Sequence, residues 1–169
     1  MNSIAILGAG TWGMALAKML KNTNKNVTVW SALPDEIEEL SKTSSHPKLP
    51  NVLIPKGIEY TTDIKLAVEN KDIIMFAVPS VFVRQTARKC KDYIKDNQII
   101  VDVAKGIEPD TLFTLTQVID DEIKNKTVKY VALSGPTHAE EVSRDMPTTI
   151  VSACQDIEVA KLVQEFFSS

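Results

Sequence analysis

Hydrophobic residues along this chain fall into short apolar runs separated by longer amphipathic stretches. The run after Asp72, residues 73–78, is apolar at consecutive positions, which is typical of a strand buried on both faces of a parallel sheet. Strands are predicted over residues 3–7, 27–30, 58–61, 72–78, 98–103, 128–133 and 148–152. Helices are predicted over residues 14–20, 34–42, 63–70, 81–93, 110–123, 138–143 and 156–167.

Regular alternation of strand and helix predicts right-handed crossovers and a parallel sheet with helices on both faces. The fold class is therefore α/β, of the Rossmann type, with a doubly wound and mainly parallel sheet. The chain has 169 residues, of which 44% are hydrophobic and 24% charged, so a single domain over residues 1–169 is expected.

The first strand, Ser3 to Leu7, runs into the segment Gly8-Ala9-Gly10-Thr11-Trp12-Gly13 and then into a helix. A strand, G-x-G-x-x-G and a helix in this order are the fingerprint of dinucleotide binding. Gly8 allows the tight turn, Gly10 lets the backbone approach a pyrophosphate, and Gly13 lets the helix pack closely. The positive end of the helix then faces the phosphates. The alternative is a glycine-rich turn that binds nothing, which the flanking strand and helix disfavour.

Ligands of such sheets bind beyond the carboxyl ends of the strands, so the loops at that edge are the candidate site. Lys105 follows the fifth predicted strand and could neutralise a phosphate; otherwise it is an ordinary solvated lysine. Gly135 and Thr137 lie in the loop after the sixth strand, where a glycine N–H and a hydroxyl are candidate anion donors. His138 starts a helix there and is interpreted as structural. The five candidate loops are residues 8–13, 31–33, 79–82, 104–108 and 134–139.

The choice between NAD and NADP is open at this stage. An acidic residue after the second strand favours NAD, whereas an arginine favours NADP. Here the strand ends at Trp30 and is followed by Ser31, Ala32 and Leu33, which carry no charge. Ser31 is a candidate donor to a ribose hydroxyl or to a phosphate.

The composition argues against several other classes of protein. The net charge is −3 with no basic stretch, so no nucleic-acid partner is expected. No apolar run is long enough to span a bilayer, and no membrane insertion is expected. Cys90 and Cys154 are interpreted as reduced thiols, and His46 and His138 are too few for a zinc cluster, so no metal is expected.

The segments that carry a family resemblance are Gly8–Gly13, Trp30, Ala77-Val78-Pro79-Ser80, Ala104-Lys105-Gly106-Ile107-Glu108 and the segment from Leu133 to Val142. Taken together, they resemble the successive motifs of bacterial NAD(P)-dependent glycerol-3-phosphate dehydrogenase. The resemblance covers the whole chain in order and implies reversible hydride transfer between NAD(P)H and dihydroxyacetone phosphate, with sn-glycerol 3-phosphate as the reduced partner, for phospholipid synthesis. By the same resemblance, cofactor contacts fall on Thr11, Trp12, Lys105 and Ala139, and substrate contacts on Lys105, Gly135 and Thr137.

The family also differs from this chain. A basic residue often stands in the family where this chain has Ala32, and a tyrosine is common where it has Lys48. The family continues into a helical second domain, so its catalytic lysine is expected beyond Ser169 and no catalytic residue within this chain. We therefore expect the 169-residue chain to be a cytoplasmic cofactor-binding fragment that binds nucleotide weakly and turns over nothing. A homo-oligomer stays open for the full-length protein.

Two alternatives share the opening fingerprint. One is another dehydrogenase built from a Rossmann and a helical domain, such as a 3-hydroxyacid dehydrogenase or a ketopantoate reductase. It is distinguished by turnover of a carboxylate substrate instead of a phosphorylated ketone. The other is a dinucleotide-sensing module, which binds the nucleotide without catalysis.

Overall fold

A seven-stranded sheet forms the centre of the molecule in the computed structural model, which describes residues 1–124 and 126–168. The strand order is β3-β2-β1-β4-β5-β6-β7. The sheet is thus the predicted doubly wound type, and the order reverses between β1 and β4, which pair with each other. The strands are β1 (Ser3–Leu7), β2 (Asn26–Trp30), β3 (Glu59–Thr61), β4 (Ile73–Phe76), β5 (Ile99–Asp102), β6 (Lys129–Ser134) and β7 (Val151–Ala153).

Seven α-helices cover both faces of the sheet within the described residues, as predicted. The apolar sides of α1, α2, α6 and α7 contribute to one hydrophobic core, and those of α3, α4 and α5 to the other. The helices are α1 (Thr11–Asn22), α2 (Pro34–Thr43), α3 (Ile64–Val68), α4 (Ser80–Cys90), α5 (Leu115–Ile123), α6 (Ala139–Ser143) and α7 (Ile157–Phe167). No helix in the described part of the chain is long and apolar enough to cross a membrane.

The edge strand β7 differs from the other strands in direction. It runs antiparallel to β6, with Leu133 opposite Ser152, whereas every other strand pair is parallel. The strand predicted over residues 148–152 is also shifted along the chain, to Val151–Ala153. Alternation of elements predicts parallel neighbours only where a helix makes a full crossover; α6 is a five-residue helix, and the chain turns back after it.

The helix predicted from residue 110 begins instead at Leu115. Leu112 has a φ of 59°, and its N–H donates to the Glu108 carbonyl, so the chain closes a turn before the helix starts. Thr114 and Gln117 then form a reciprocal capping box. The cap fixes the first helical residue, because it satisfies N–H groups that would otherwise lack partners.

An ion-pair cluster connects α4 and α5 to the loop after β5. The guanidinium of Arg84 contacts Glu108 at 2.7 Å, Asp121 at 2.7 Å and Glu122 at 2.9 Å. Hydrogen bonds from Arg84 are the main reason that the pKa of Glu108 falls to about 2. The bidentate pair holds the loop that carries Lys105 against α4.

Asp102, the last residue of β5, is a buried carboxyl group. Its side chain is 7% exposed and accepts a hydrogen bond from the Ala104 N–H at 3.1 Å. Burial raises the pKa of Asp102 to about 6, from an ordinary value of 3.8. Because the folded pKa is the higher one, the fold loses stability as the pH rises from about 4 to about 6, and the cost persists above that range.

We expect Asp102→Asn to stabilise the fold at about pH 7.5, by on the order of 2 kcal/mol, because the amide keeps the acceptor oxygen and removes the buried charge. At about pH 4, where the wild-type carboxyl is already protonated, the difference should vanish. Urea unfolding at the two pH values measures both free energies. Asp110→Asn, which removes the same charge from an exposed side chain, is the matched control. Equal effects of the two variants on the free energy of unfolding would contradict the view that burial of the Asp102 carboxylate destabilises the fold.

Candidate functional site

The candidate loops follow the carboxyl ends of five neighbouring strands and therefore lie along one edge of the sheet. The glycine loop follows β1, which lies between β2 and β4 at the point where the strand order reverses. This is the place where open α/β sheets bind ligands. The loops that carry Ser31, Lys105 and Gly135 follow β2, β5 and β6.

Gly8 anchors the glycine loop to the strands on either side of β1. Its N–H donates to the Trp30 carbonyl of β2 at 2.8 Å, and its φ is 126°. A Cβ on Gly8 would lie 2.7 Å from the Ala77 carbonyl carbon, next to β4. Both the dihedral angle and the close approach thus require glycine here.

Gly13 and Gly10 are glycines for opposite reasons. A Cβ on Gly13 would lie 2.1 Å from the Gly8 carbonyl oxygen, so close packing of α1 on the loop requires glycine. A Cβ on Gly10 would have no atom of the described chain within 4 Å, and the φ of Gly10 is −67°, which any residue adopts. The space beside Gly10 is therefore free to admit a ligand close to the backbone.

The N-terminus of α1 opens beside that space. Gly10 caps the helix without a side-chain hydrogen bond, and the first turn, which includes Thr11 and Trp12, carries no acidic residue. The initial N–H groups of a helix lack intrahelical partners and carry the positive end of the dipole. This end of α1 is suited to an anion such as a phosphate.

Sequence reasoning assigned no role to His46, which buttresses the glycine loop. Its ring is buried, and Nε2 lies 3.1 Å from the Ala9 carbonyl oxygen. Nδ1 accepts the N–H of Lys48 at 3.1 Å, so Nε2 carries the proton and donates to Ala9. The connection between α2 and β3, residues 44–58, therefore packs directly on the glycine loop. No local pattern in the sequence indicates this contact.

Lys105 meets the loop after β6, as the positions of the two strands predict. Its ammonium group lies 3.3 Å from the Thr137 carbonyl oxygen and 3.5 Å from that of Gly135. An ammonium has three N–H groups, so one remains for a further acceptor, and the Lys105 side chain is exposed. The structure thus brings together the three residues proposed to contact the substrate.

The Thr137 side chain, a candidate anion donor, is buried and lies against the Gly135 carbonyl. Its N–H donates to the Gly135 carbonyl at 2.9 Å, and its Oγ1 lies 3.4 Å from the same oxygen. Binding a phosphate would require this hydroxyl to turn away from Gly135. Gly135 itself passes close to the chain before β7, because a Cβ there would lie 2.5 Å from the Thr149 carbonyl oxygen.

Ala139 is the first residue of α6 and packs partly buried against the core beneath α1. The far end of α6 is held to α1 by the ion pair between Lys18 and Asp145, with 2.7 Å between the charged groups. The ion pair thus connects α1 with the turn that follows α6. Within the described residues, no group of three His, Cys, Asp or Glu side chains is arranged to hold a metal ion.

Ser31 does not face the edge with a free hydroxyl. Its Oγ donates to the Glu36 carboxylate and accepts the Leu33 N–H at 3.2 Å. Glu36 lies in the first turn of α2, five residues beyond the position where an acidic residue is ordinarily sought. Residues 31–33 after β2 carry no charge, but in the folded chain the Glu36 carboxylate lies next to Ser31.

Known proteins resemble this chain over nearly its whole length. A family model described as the N-terminus of NAD-dependent glycerol-3-phosphate dehydrogenase matches residues 3–160. A protein of Lactobacillus delbrueckii subsp. bulgaricus, named glycerol-3-phosphate dehydrogenase (NAD(P)+) 2, is 61% identical over 99% of this chain and 51% of its own. A Fusobacterium nucleatum protein, named glycerol-3-phosphate dehydrogenase (NAD(P)+), is 46% identical over 99% of this chain and 50% of its own. The chain thus spans about half the length of these relatives.

Solved structures show the same relationship. The crystal structure of a glycerol-3-phosphate dehydrogenase from Coxiella burnetii matches with a TM-score of 0.91 and 29% identity, over 99% of this chain and 51% of that one. A UDP-D-ManNAc dehydrogenase from Pyrococcus horikoshii matches over 99% of this chain and 44% of that one, with a TM-score of 0.79 at 10% identity, and shares the fold alone. The family match over most of the chain shows that it belongs to the family of N-terminal domains of NAD-dependent glycerol-3-phosphate dehydrogenase.

Proposed function

We propose that this chain is the cofactor-binding part of an sn-glycerol-3-phosphate dehydrogenase, which transfers a hydride reversibly between NAD(P)H and dihydroxyacetone phosphate. The observation that carries the proposal is the contact of the Lys105 ammonium with the carbonyls of Gly135 and Thr137, at the same edge of the sheet as the glycine loop. These are the residues that the resemblance assigns to a phosphorylated substrate, and family membership supports the assignment.

The glycine loop and α1 fit a dinucleotide. When bound, the nicotinamide cofactor supplies or accepts the hydride. The space beside Gly10 admits the pyrophosphate close to the backbone, and the N–H groups at the start of α1 donate to it. His46 and Trp30 hold the loop in this shape through Ala9 and Gly8, so little reorganisation is needed on binding.

Lys105 supplies the positive charge for the substrate phosphate. The carbonyl oxygens of Thr137 and Gly135 lie 3.3 and 3.5 Å from the ammonium and accept two of its N–H groups, which leaves the third for a ligand. A lysine in this position stabilises a dianionic phosphate electrostatically and orients the carbonyl carbon that accepts the hydride.

The relatives are about twice as long as this chain, which leaves room for the second domain that the resemblance implies. Following the resemblance, proton transfer is assigned to a lysine in a helical second domain beyond Ser169. The enzyme is placed in the cytoplasm, where it supplies phospholipid precursors.

The test is a turnover assay on the full-length protein that carries this sequence. NADH and, separately, NADPH are mixed with dihydroxyacetone phosphate, and cofactor oxidation is followed by absorbance. We expect turnover with the phosphorylated ketone and none with small keto acids of similar size. The 169-residue chain alone is the control and should show no turnover.

Other results of this assay would favour one of the alternative functions or contradict part of the proposal. Turnover of a keto acid and not of the phosphorylated ketone would favour a 3-hydroxyacid dehydrogenase or a ketopantoate reductase. Nucleotide binding by the full-length protein with no turnover of any ketone would favour the sensing module. Turnover by the 169-residue chain alone would contradict the assignment of the catalytic lysine to a second domain.

Gly10→Val should abolish nucleotide binding without unfolding the protein. The added side chain meets no described atom of the protein but fills the space assigned to the pyrophosphate, so we expect NADH affinity to fall about 100-fold or more. The stability cost of valine at a helix N-cap is about 1 kcal/mol. Calorimetric titration with NADH and thermal unfolding measure the two effects.

Gly13→Ala is the matched control for that variant. Its Cβ would collide with the Gly8 carbonyl, so it should lower the unfolding temperature sharply. If Gly10→Val retained wild-type NADH affinity, the loop would not hold the pyrophosphate. If it unfolded like Gly13→Ala, the glycine would have a packing role that the structure does not show.

Lys105→Ala should raise the KM for dihydroxyacetone phosphate by about tenfold or more, because it removes a charge-assisted hydrogen bond to phosphate. The unfolding temperature should hardly change, since the side chain is exposed and its carbonyl contacts are long. Lys56→Ala removes the same charge from an exposed residue before β3 and is the control. A large loss of thermal stability with an unchanged KM would instead mark Lys105 as structural.

A further inference from the structure

We infer that Glu36 makes the adenosine end of the site selective for a ribose without a 2′-phosphate, so that the protein prefers NADH to NADPH. This inference rests on the proposed function, because it concerns the cofactor of that same site. Neither the residues after β2 nor the names of the relatives decide the preference; the contact between Glu36 and Ser31 does.

The Glu36 carboxylate is fixed beside the carboxyl end of β2. Its Oε2 lies 2.5 Å from the Ser31 Oγ, and Ser31 is 5% exposed, directly after the last residue of the strand. The Ser31 hydroxyl is itself oriented by the Leu33 N–H, which leaves its proton for Glu36. Glu36 is half-buried, whereas Asp35 beside it is exposed.

The end of β2 is where a Rossmann domain meets the adenosine ribose. In domains that use NAD, an acidic residue placed there accepts hydrogen bonds from the ribose hydroxyls. A carboxylate has two oxygens with about four acceptor positions, so the Ser31 bond leaves acceptor capacity for the ribose diol. Glu36 therefore extends from α2 to the end of β2, where the acidic residue of an NAD-binding domain usually comes from the loop itself.

The same carboxylate opposes a 2′-phosphate. The Glu36 carboxylate and a 2′-phosphate would repel each other at contact distance. This repulsion makes the site select against NADPH more than it tightens the binding of NADH. The N-terminus of α2 would by itself attract a phosphate. Pro34 at its first position lacks an N–H, and Asp35 and Glu36 neutralise the positive end of its dipole.

A lysine, Lys48, lies in the connection after α2 that contacts the glycine loop. Lys48 is joined through its N–H to the ring of His46, which contacts Ala9. An ammonium in this region acts in the opposite sense to Glu36, because it would attract a 2′-phosphate. The inference holds that Glu36 outweighs it, since Glu36 is fixed by a short hydrogen bond at the ribose end, whereas the Lys48 side chain is exposed.

The test measures binding, with no turnover required. ADP-ribose and 2′-phospho-ADP-ribose are titrated calorimetrically into the full-length protein, and NADH and NADPH binding is followed by fluorescence. We expect wild type to bind the unphosphorylated member of each pair at least about tenfold more tightly. Glu36→Gln should reduce that ratio about tenfold, mainly by tightening the phosphorylated ligand.

Two further variants complete the design. Glu38→Gln removes the same charge from the same helix, but residues two apart on a helix face different directions and Glu38 pairs with Lys42, so the ratio should not change. Lys48→Ala should widen the preference of wild type or leave it unchanged. Thermal unfolding of each variant shows whether the fold is retained.

Three results would overturn the inference. Wild type could bind the 2′-phosphorylated ligand as tightly as its partner, or Glu36→Gln could keep the wild-type ratio while folded; either would remove Glu36 from cofactor choice and leave the proposed function standing. Failure of wild type to bind any of the four ligands would instead overturn the cofactor site and, with it, this inference.

Discussion

The edge of the sheet that carries the candidate site depends on one close contact between two backbone segments. The first turn of α1 crosses the glycine loop so tightly that a single added carbon at Gly13 would lie 2.1 Å from the Gly8 carbonyl oxygen. That approach brings the open N-terminus of α1 over the end of β1, at the place where the strand order reverses. If α1 stood further away, neither its dipole nor its N–H groups would reach a ligand lying on the loop.

The remaining loops are held in relation to that contact through a series of neighbouring contacts across the sheet. Gly8 bonds to Trp30 on one side and touches Ala77 on the other. The Gly106 turn, which carries Lys105, approaches Ser80 in the next loop along, and the Lys105 ammonium reaches the loop after β6. Because each loop is fixed by its neighbour, the edge is organised before any ligand arrives, which lowers the entropic cost of binding.

The fold and the glycine loop could be predicted from the sequence because their signals are local. Apolar runs give strands, and three glycines at fixed spacing between a strand and a helix give the turn. His46 and Glu36 could not be found in this way, because each acts through a contact between segments that only the folded chain brings together. The late start of α5 was missed for another reason: Leu112 adopts a positive φ, which the sequence does not favour for leucine.

The order of the loops along the edge gives the site a direction. Glu36 and Ser31 stand at the end of β2, the glycine loop at the end of β1, and Lys105 at the end of β5. A dinucleotide with its adenosine ribose at β2 and its pyrophosphate on the glycine loop must extend its other half toward β4 and β5. The nicotinamide of the proposed cofactor is therefore directed to the side where Lys105 stands. The strand order alone thus brings the proposed nicotinamide position and Lys105 to the same end of the crevice, and it separates both from Glu36 beside the end of β2.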